Sequence, residues 1–147
     1  MKVDINYIPD KLEENAYLNV VKGHDCLDKL INILENESYK EKSINVYDKK
    51  NIFQLSCIHI FYIESDKDKL LVHTGKHIFQ SKKRLYELES ELPDYFCRIS
   101  KSIILNLRKV SYYSPELNGL MKATMKNNEA VYISRKYLKE LRIKIGR

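Results

Sequence analysis

Phe96-Cys97-Arg98-Ile99-Ser100-Lys101-Ser102-Ile103-Ile104-Leu105-Asn106 reads as two short apolar strands joined by a corner of basic and hydroxyl side chains. Near the end of the chain, Ile133-Ser134-Arg135-Lys136 repeats the theme, with a strand giving way to a basic, hydroxyl-bearing helix start. Neither stretch holds a plausible nucleophile with its base. Serine hydroxyls and lysine or arginine at such corners suit phosphates and base edges, so the chemistry points to nucleic acid more than to catalysis.

Outward from this corner the chain is mostly short strands. Ile44–Tyr47, Ile52–Leu55, Phe61–Glu64, Lys69–His73 and His77–Gln80 precede it, and Tyr95–Ile99 and Ile103–Leu105 flank it. Lys109–Ser114, Leu120–Met125 and Ala130–Ile133 follow. Asp66-Lys67-Asp68-Lys69, Thr74-Gly75-Lys76 and Asn127-Asn128 are the turn signals between them. Two helices interrupt the strands. Ser81 is the expected N-cap of one, with Leu85, Leu88 and Leu92 on one face and Pro93 as its stop. Ser134 is the expected N-cap of the other, with Tyr137, Leu138, Leu141 and Ile145 apolar.

Upstream, Lys2–Ile8 and Ala16–Val21 alternate well enough for strands. Leu27, Leu30, Ile31 and Leu34 then recur at helical spacing, with Asp25 as N-cap and an end near Asn36. The chain of 147 residues therefore divides into a small ββα segment over 1–42 and a mainly β (α+β) domain over 43–147. The first segment is far too short for a phospho-acceptor receiver domain.

The net charge of +6 is unevenly spread. Residues 1–50 carry 8 Lys/Arg against 10 Asp/Glu, residues 51–119 carry 10 against 8, and residues 120–147 carry 8 against 2. The whole excess sits at the C-terminal end, where a basic surface attracts polyanions. Both helices of the main domain are expected to begin with cations, Lys82-Lys83-Arg84 and Arg135-Lys136. That is the unfavourable polarity for the helix dipole, and a bound anion would supply the reason for it.

Cys26, Cys57 and Cys97 are odd in number and widely spaced, which fits a reducing cytoplasm without disulfides. No leader is expected at the N-terminus, and the longest apolar run, Ile58–Ile63, is too short to span a bilayer. Cys57-Ile58-His59, with its two ends on one face of a strand, and the nearby His73 and His77 lack a second ligand pair at metal-site spacing. No metal, cofactor or small-molecule substrate is expected.

Taken together, Ile60-Phe61-Tyr62-Ile63-Glu64-Ser65, Leu85-Tyr86-Glu87-Leu88-Glu89, the Phe96–Asn106 stretch and Val131-Tyr132-Ile133-Ser134-Arg135 resemble the LytTR family of bacterial DNA-binding domains. The resemblance covers about residues 43–147. The family pattern around the central stretch is F-x-R-x-H-R-S-x-x-V-N, matched here by Phe96, Arg98, Ser102 and Asn106. Ser100 replaces the usual histidine, Lys101 the frequent arginine and Leu105 the usual valine. The resemblance implies an elongated arrangement of antiparallel sheets with two short helices that offers loops, not a recognition helix, to DNA. Carried over by position, Lys101 and Arg135 are base-contacting residues. A third contact comes from the loop after Ser65, with Lys67 and Lys69 both candidates.

Side-chain chemistry fits those positions. Arginine and lysine donate to guanine O6 and N7. Ser100, Ser102 and Ser134 suit phosphate oxygens, and Lys136 and Lys82 suit phosphates without sequence preference. Arg98 reads either as a phosphate contact or as a partly buried ion pair. Asn106 reads either as a backbone contact to DNA or as a residue satisfying main-chain groups where its strand ends.

The function expected is therefore a non-enzymatic, cytoplasmic, sequence-specific regulator of transcription. Family resemblance implies that it binds double-stranded DNA as a homodimer on repeated half-sites. The N-terminal segment is expected to dimerise or to meet a regulatory protein partner, which at family level includes a membrane protein. The alternative is a protein-interaction module that antagonises a related regulator without touching DNA, and the retained Lys101 and Arg135 argue against it.

Overall fold

The computed structural model describes residues 2–9, 15–35 and 41–146. The chain splits into two compact units, Met1–Lys40 and Glu41–Arg147.

Among the described residues of the first unit the only regular element is helix α1, Leu27–Glu35, none of whose residues is buried. It starts behind Cys26, which sits at φ +69°, so Asp25 is not its N-cap. Its expected end near Asn36 lies outside the described residues. The strands expected at Lys2–Ile8 and Ala16–Val21 are absent, because neither segment pairs with a partner and almost every residue in them is exposed. Alternation alone does not make a strand, since an isolated strand has no ladder to bond to. The ββα reading is therefore corrected: among the described residues of this unit the helix is present and the two strands are not.

The second unit is antiparallel β with two helices. Strands β1 (Ser43–Asp48), β2 (Asn51–Ser56), β3 (Ile60–Asp66), β4 (Lys69–Thr74), β5 (Ile78–Ser81), β6 (Phe96–Arg98) and β7 (Ile103–Asn106) form one sheet. Their order in it is β2-β1-β5-β4-β3-β7-β6. Strands β8 (Val110–Pro115), β9 (Met121–Met125) and β10 (Ala130–Ile133) form a second sheet, in the order β10-β9-β8. Helix α2 spans Leu85–Glu91 and helix α3 spans Leu138–Lys144.

The alternation read from the sequence sorts side chains onto the two faces of the large sheet. Ile63, Val72 and Ile104 point to one face, where Leu85 and Leu88 of α2 and Leu92 just after it cover them. Cys97 and Leu105 point to the other, where Met121, Met125 and Ile133 of the second sheet and Leu141 of α3 close a second core. The two layers fix the ends of β6, β7 and β10 against one another, and the basic corners sit at those ends.

Two local starts differ from expectation. Ser81 does not cap α2. It is the last residue of β5, opposite Leu70, and its Oγ accepts from the Lys83 N–H at 3.2 Å. The helix begins at Leu85, and its first turn is closed by Glu87, whose carboxylate accepts from the Arg84 N–H at 2.6 Å. Lys82-Lys83-Arg84 thus lie on the approach to the helix, with Lys83 paired to Glu91. The acid in the first turn is Glu87, the favourable polarity. Ser134 precedes a 3-10 turn, Arg135–Tyr137, that leads into α3, and its hydroxyl makes no cap hydrogen bond. No helix among the described residues is long and apolar enough to cross a membrane.

Candidate nucleic-acid interface

The central corner is built on one buried residue. Ile99 is fully buried, its N–H donates to the Ile103 carbonyl at 3.0 Å, and its carbonyl accepts from the Ser134 N–H at 2.9 Å. One residue thus closes the loop between β6 and β7 and ties that loop to the exit of β10. On the loop's other side, the Ser65 N–H donates to the Ser102 carbonyl at 2.7 Å, which fixes the end of β3 and its turn. The three regions singled out in the sequence are consequently joined by main-chain hydrogen bonds into one frame.

Side chains finish the loop. Arg98 donates from Nε to the Ser100 carbonyl at 2.7 Å, from Nη2 to the Lys101 carbonyl, and from Nη1 to Glu89 of α2 at 2.8 Å. Its side chain is 17% exposed, so every branch of the guanidinium is used inside the protein. The structure shows the ion pair of Arg98 with Glu89 and its two bonds to the loop carbonyls, so the side chain holds the corner together. Ser100 Oγ accepts from the Ser102 N–H at 3.1 Å and lies 3.4 Å from Ser102 Oγ, so the residue in the histidine position shapes the turn. Lys101 stands at the apex, exposed, and among the described residues its ammonium forms no ion pair. Asn106 is 0% exposed, with Nδ2 donating to the Ile60 carbonyl at 2.7 Å and Oδ1 accepting from the Arg108 N–H at 3.0 Å. It is a lock between β7 and β3 and offers nothing to a ligand, so the reading as a DNA-backbone contact is corrected.

The second corner presents Arg135 and Lys136, both exposed, with Lys136 Nζ 5.9 Å from the Tyr137 ring. The stem of Arg135 rests on the loop before β9. Gly119 lies there at φ +73°, and a Cβ on it would come within 2.7 Å of Arg135 Cδ. That support was not read from the sequence, although Asn118-Gly119 is the residue pair for two successive left-handed positions.

In the third region Lys67 sits at the tip of the β3–β4 turn at φ +55°. Lys67, Lys69, Lys82 and Arg84 line a common cleft of about 500 Å³ with Ser65 and Ser81. The structure therefore brings Lys82 beside Lys67 and Lys69, a neighbourhood not read from the sequence. Lys82 Nζ lies 4.4 Å from the centre of the Tyr47 ring.

The cysteines stand apart from this surface. Cys57–His59 form a 3-10 turn, not a strand, so Cys57 is buried while His59 is exposed, and the two do not share a face. Burial pushes the thiols of Cys57 and Cys97 up to about 11, which keeps them protonated and poor nucleophiles. No group of three potential metal ligands occurs among the described residues.

A model of the LytTr DNA-binding domain matches residues 50–146. An uncharacterised HTH-type transcriptional regulator of Staphylococcus aureus strain NCTC 8325 / PS 47 is 29% identical over 146 residues, 99% of each chain. Its counterpart in strain MRSA252 is 28% identical over 146 residues, again 99% of each. Among solved structures, a LytTr DNA-binding domain from Bacillus cereus superposes with a TM-score of 0.69 at 23% identity, covering 74% of this chain and 100% of that one. The relatives are named for a helix–turn–helix, but in residues 41–146 of this chain α2 and α3 are separated by five strands.

Proposed function

The chain belongs to the LytTR DNA-binding domain family, and from that premise we propose that it is a sequence-specific regulator of transcription that reads short DNA half-sites through loops. The observation that carries this reading is the frame around Ile99, in which hydrogen bonds to Ile103 and Ser134 hold the Lys101 and Arg135 corners in fixed register. A preorganised pair of donors loses little entropy on entering a groove. In this reading Lys101 and Arg135 contact base edges, and Lys67 and Lys69 approach from the third region. Ser100, Ser102, Ser134, Lys136 and Lys82 meet phosphates. The protein acts in the cytoplasm as a homodimer on repeated half-sites, because one such module reads few base pairs. The N-terminal unit, whose helix buries none of its residues, serves dimerisation or receives a regulatory protein.

The direct test is affinity for a cognate duplex against salt. Each neutralised phosphate contributes a slope of about −0.9 in log affinity against log salt, so several contacts give a steep line. A flat line would remove the proposal.

Two substitutions probe the frame itself. Arg98→Ala frees the Ser100 and Lys101 carbonyls and leaves Glu89 without its partner. Specific affinity falls at least about tenfold, as expected for a lost bidentate charged anchor, while the salt slope stays that of wild type because Arg98 touches no phosphate. A slope reduced by a full phosphate would contradict this. Arg98→Lys does not restore binding, since lysine lacks the planar fork. Gly119→Ala puts a side chain at φ +73° and against the Arg135 stem. It lowers discrimination at the base pair read by Arg135 more than affinity for random duplex, and equal losses on both would show that Gly119 acts only on stability.

A further inference from the structure

Beyond the cleft shared by Lys67, Lys69 and Lys82 lies a second one, of about 410 Å³, lined by Tyr47, Lys49, Lys50, Ile52, Gln80, Ser81 and Lys82. The two clefts share Gln80, Ser81 and Lys82 in their linings. No acidic residue lines the second cleft, and Asp68 is the one acid lining the first. Among the described residues, no carboxylate lies within ion-pair distance of Lys49, Lys50, Lys67, Lys69 or Lys82. Lys82, at the junction, is held by the Tyr47 ring and not by an acid. Uncompensated lysines raise the local positive potential and are costly to bring together unless a polyanion meets them.

Position separates Lys49 and Lys50 from the reading corners. Lys49 and Lys50 form the turn between β1 and β2, on the opposite side of β5 from β4 and β3 in the sheet order. Strand β1 and Lys49 also precede the span matched by the family model, residues 50–146. The lysine ammoniums of the second cleft are point charges without a planar donor fork. Their chemistry suits a regular row of phosphates.

We propose that the track leading from Lys82, beside the Lys67–Lys69 turn, to Lys49 and Lys50 binds the phosphate backbone of duplex DNA as it leaves the half-site, extending the footprint without reading sequence. This rests on the reading of the protein as a DNA-binding regulator and adds flanking backbone to its partner. Affinity for a given half-site then depends on how much duplex lies beside it, and the excess is electrostatic.

The experiment compares wild type with a Lys49→Asn/Lys50→Gln double variant on one selected site, in a duplex trimmed to the site and in one extended by a helical turn. Asparagine is chosen because Lys49 sits at φ +55°, a conformation asparagine tolerates. Wild type binds the extended duplex more tightly and with a steeper salt slope. The variant matches wild type on the trimmed duplex, and on the extended one its slope is shallower by about 1.8, the share of two phosphates. Its loss of affinity between 50 and 200 mM salt is then about twelvefold smaller than that of wild type. Lys50→Glu, which reverses a charge on the same turn, weakens extended-duplex binding further. Equal slopes and equal length dependence for wild type and variants would overturn the track while leaving the half-site reading intact. Failure of wild type to prefer the selected site over random duplex would instead strike that reading.

Discussion

Lys101→Ala and Arg135→Ala each reduce affinity for the cognate duplex by roughly 1–3 kcal/mol and broaden the range of sequences bound at one position. Both side chains are exposed, and the loops that carry them are held by contacts the substitutions do not touch. Lys101 is positioned through its carbonyl by Arg98, and the Arg135 corner through the Ser134 N–H, so truncation removes donors without removing frame. Thermal stability should stay near wild type, because exposed substitutions away from caps and cores usually change it by less than about 0.5 kcal/mol. Lys136→Ala is the control, since a phosphate contact weakens all duplexes alike and lowers the salt slope by about 1. If both alanine variants bind the cognate site as wild type does, the base-contact assignment is wrong even though the fold stands.

Asn106→Ala has the largest expected effect on stability. The amide satisfies two main-chain groups, the Ile60 carbonyl and the Arg108 N–H. Each orphaned buried group costs about 1–3 kcal/mol. The pair together should cost about 2–4 kcal/mol, taking the Arg108 end as only partly buried. For a domain of this size each kcal/mol moves the melting temperature by several degrees, so a fall of more than about 10 °C is expected in a calorimetric or circular-dichroism melt. Affinity of the still-folded fraction for DNA should be unaffected. A variant that melts with wild type would show that water or relaxation replaces both bonds. A folded variant with a weakened salt slope would return Asn106 to the DNA surface.

These two outcomes separate what a sequence can reveal from what it cannot. Strand positions were legible because alternation is a local property. In β6 and β7 it already sorts Phe96 and Ile104 from Cys97 and Leu105. The same pattern misled at Lys2–Ile8 and Ala16–Val21, where no partner strand is present among the described residues to turn propensity into pairing. The start of α2 was misplaced because Ser81 is a good N-cap by composition but is held in the β5 ladder by Leu70. Lys101 and Arg135 could be proposed as readers from the sequence because the family resemblance supplies their positions, and the structure finds both exposed. Arg98 and Asn106 could not be assigned, since a polar residue's role depends on which distant groups the fold brings to it. Glu89 and the Ile60 carbonyl are such groups. The support of Arg135 by Gly119 and the link from Ser134 to Ile99 are long-range in the same way.

The central claim is that a frame holding two basic corners in fixed register reads DNA sequence, and selection from a random duplex library tests it most directly. The full-length protein should enrich paired short repeats, with the same positions fixed in both. A library that emerges from successive rounds without enrichment would contradict the account.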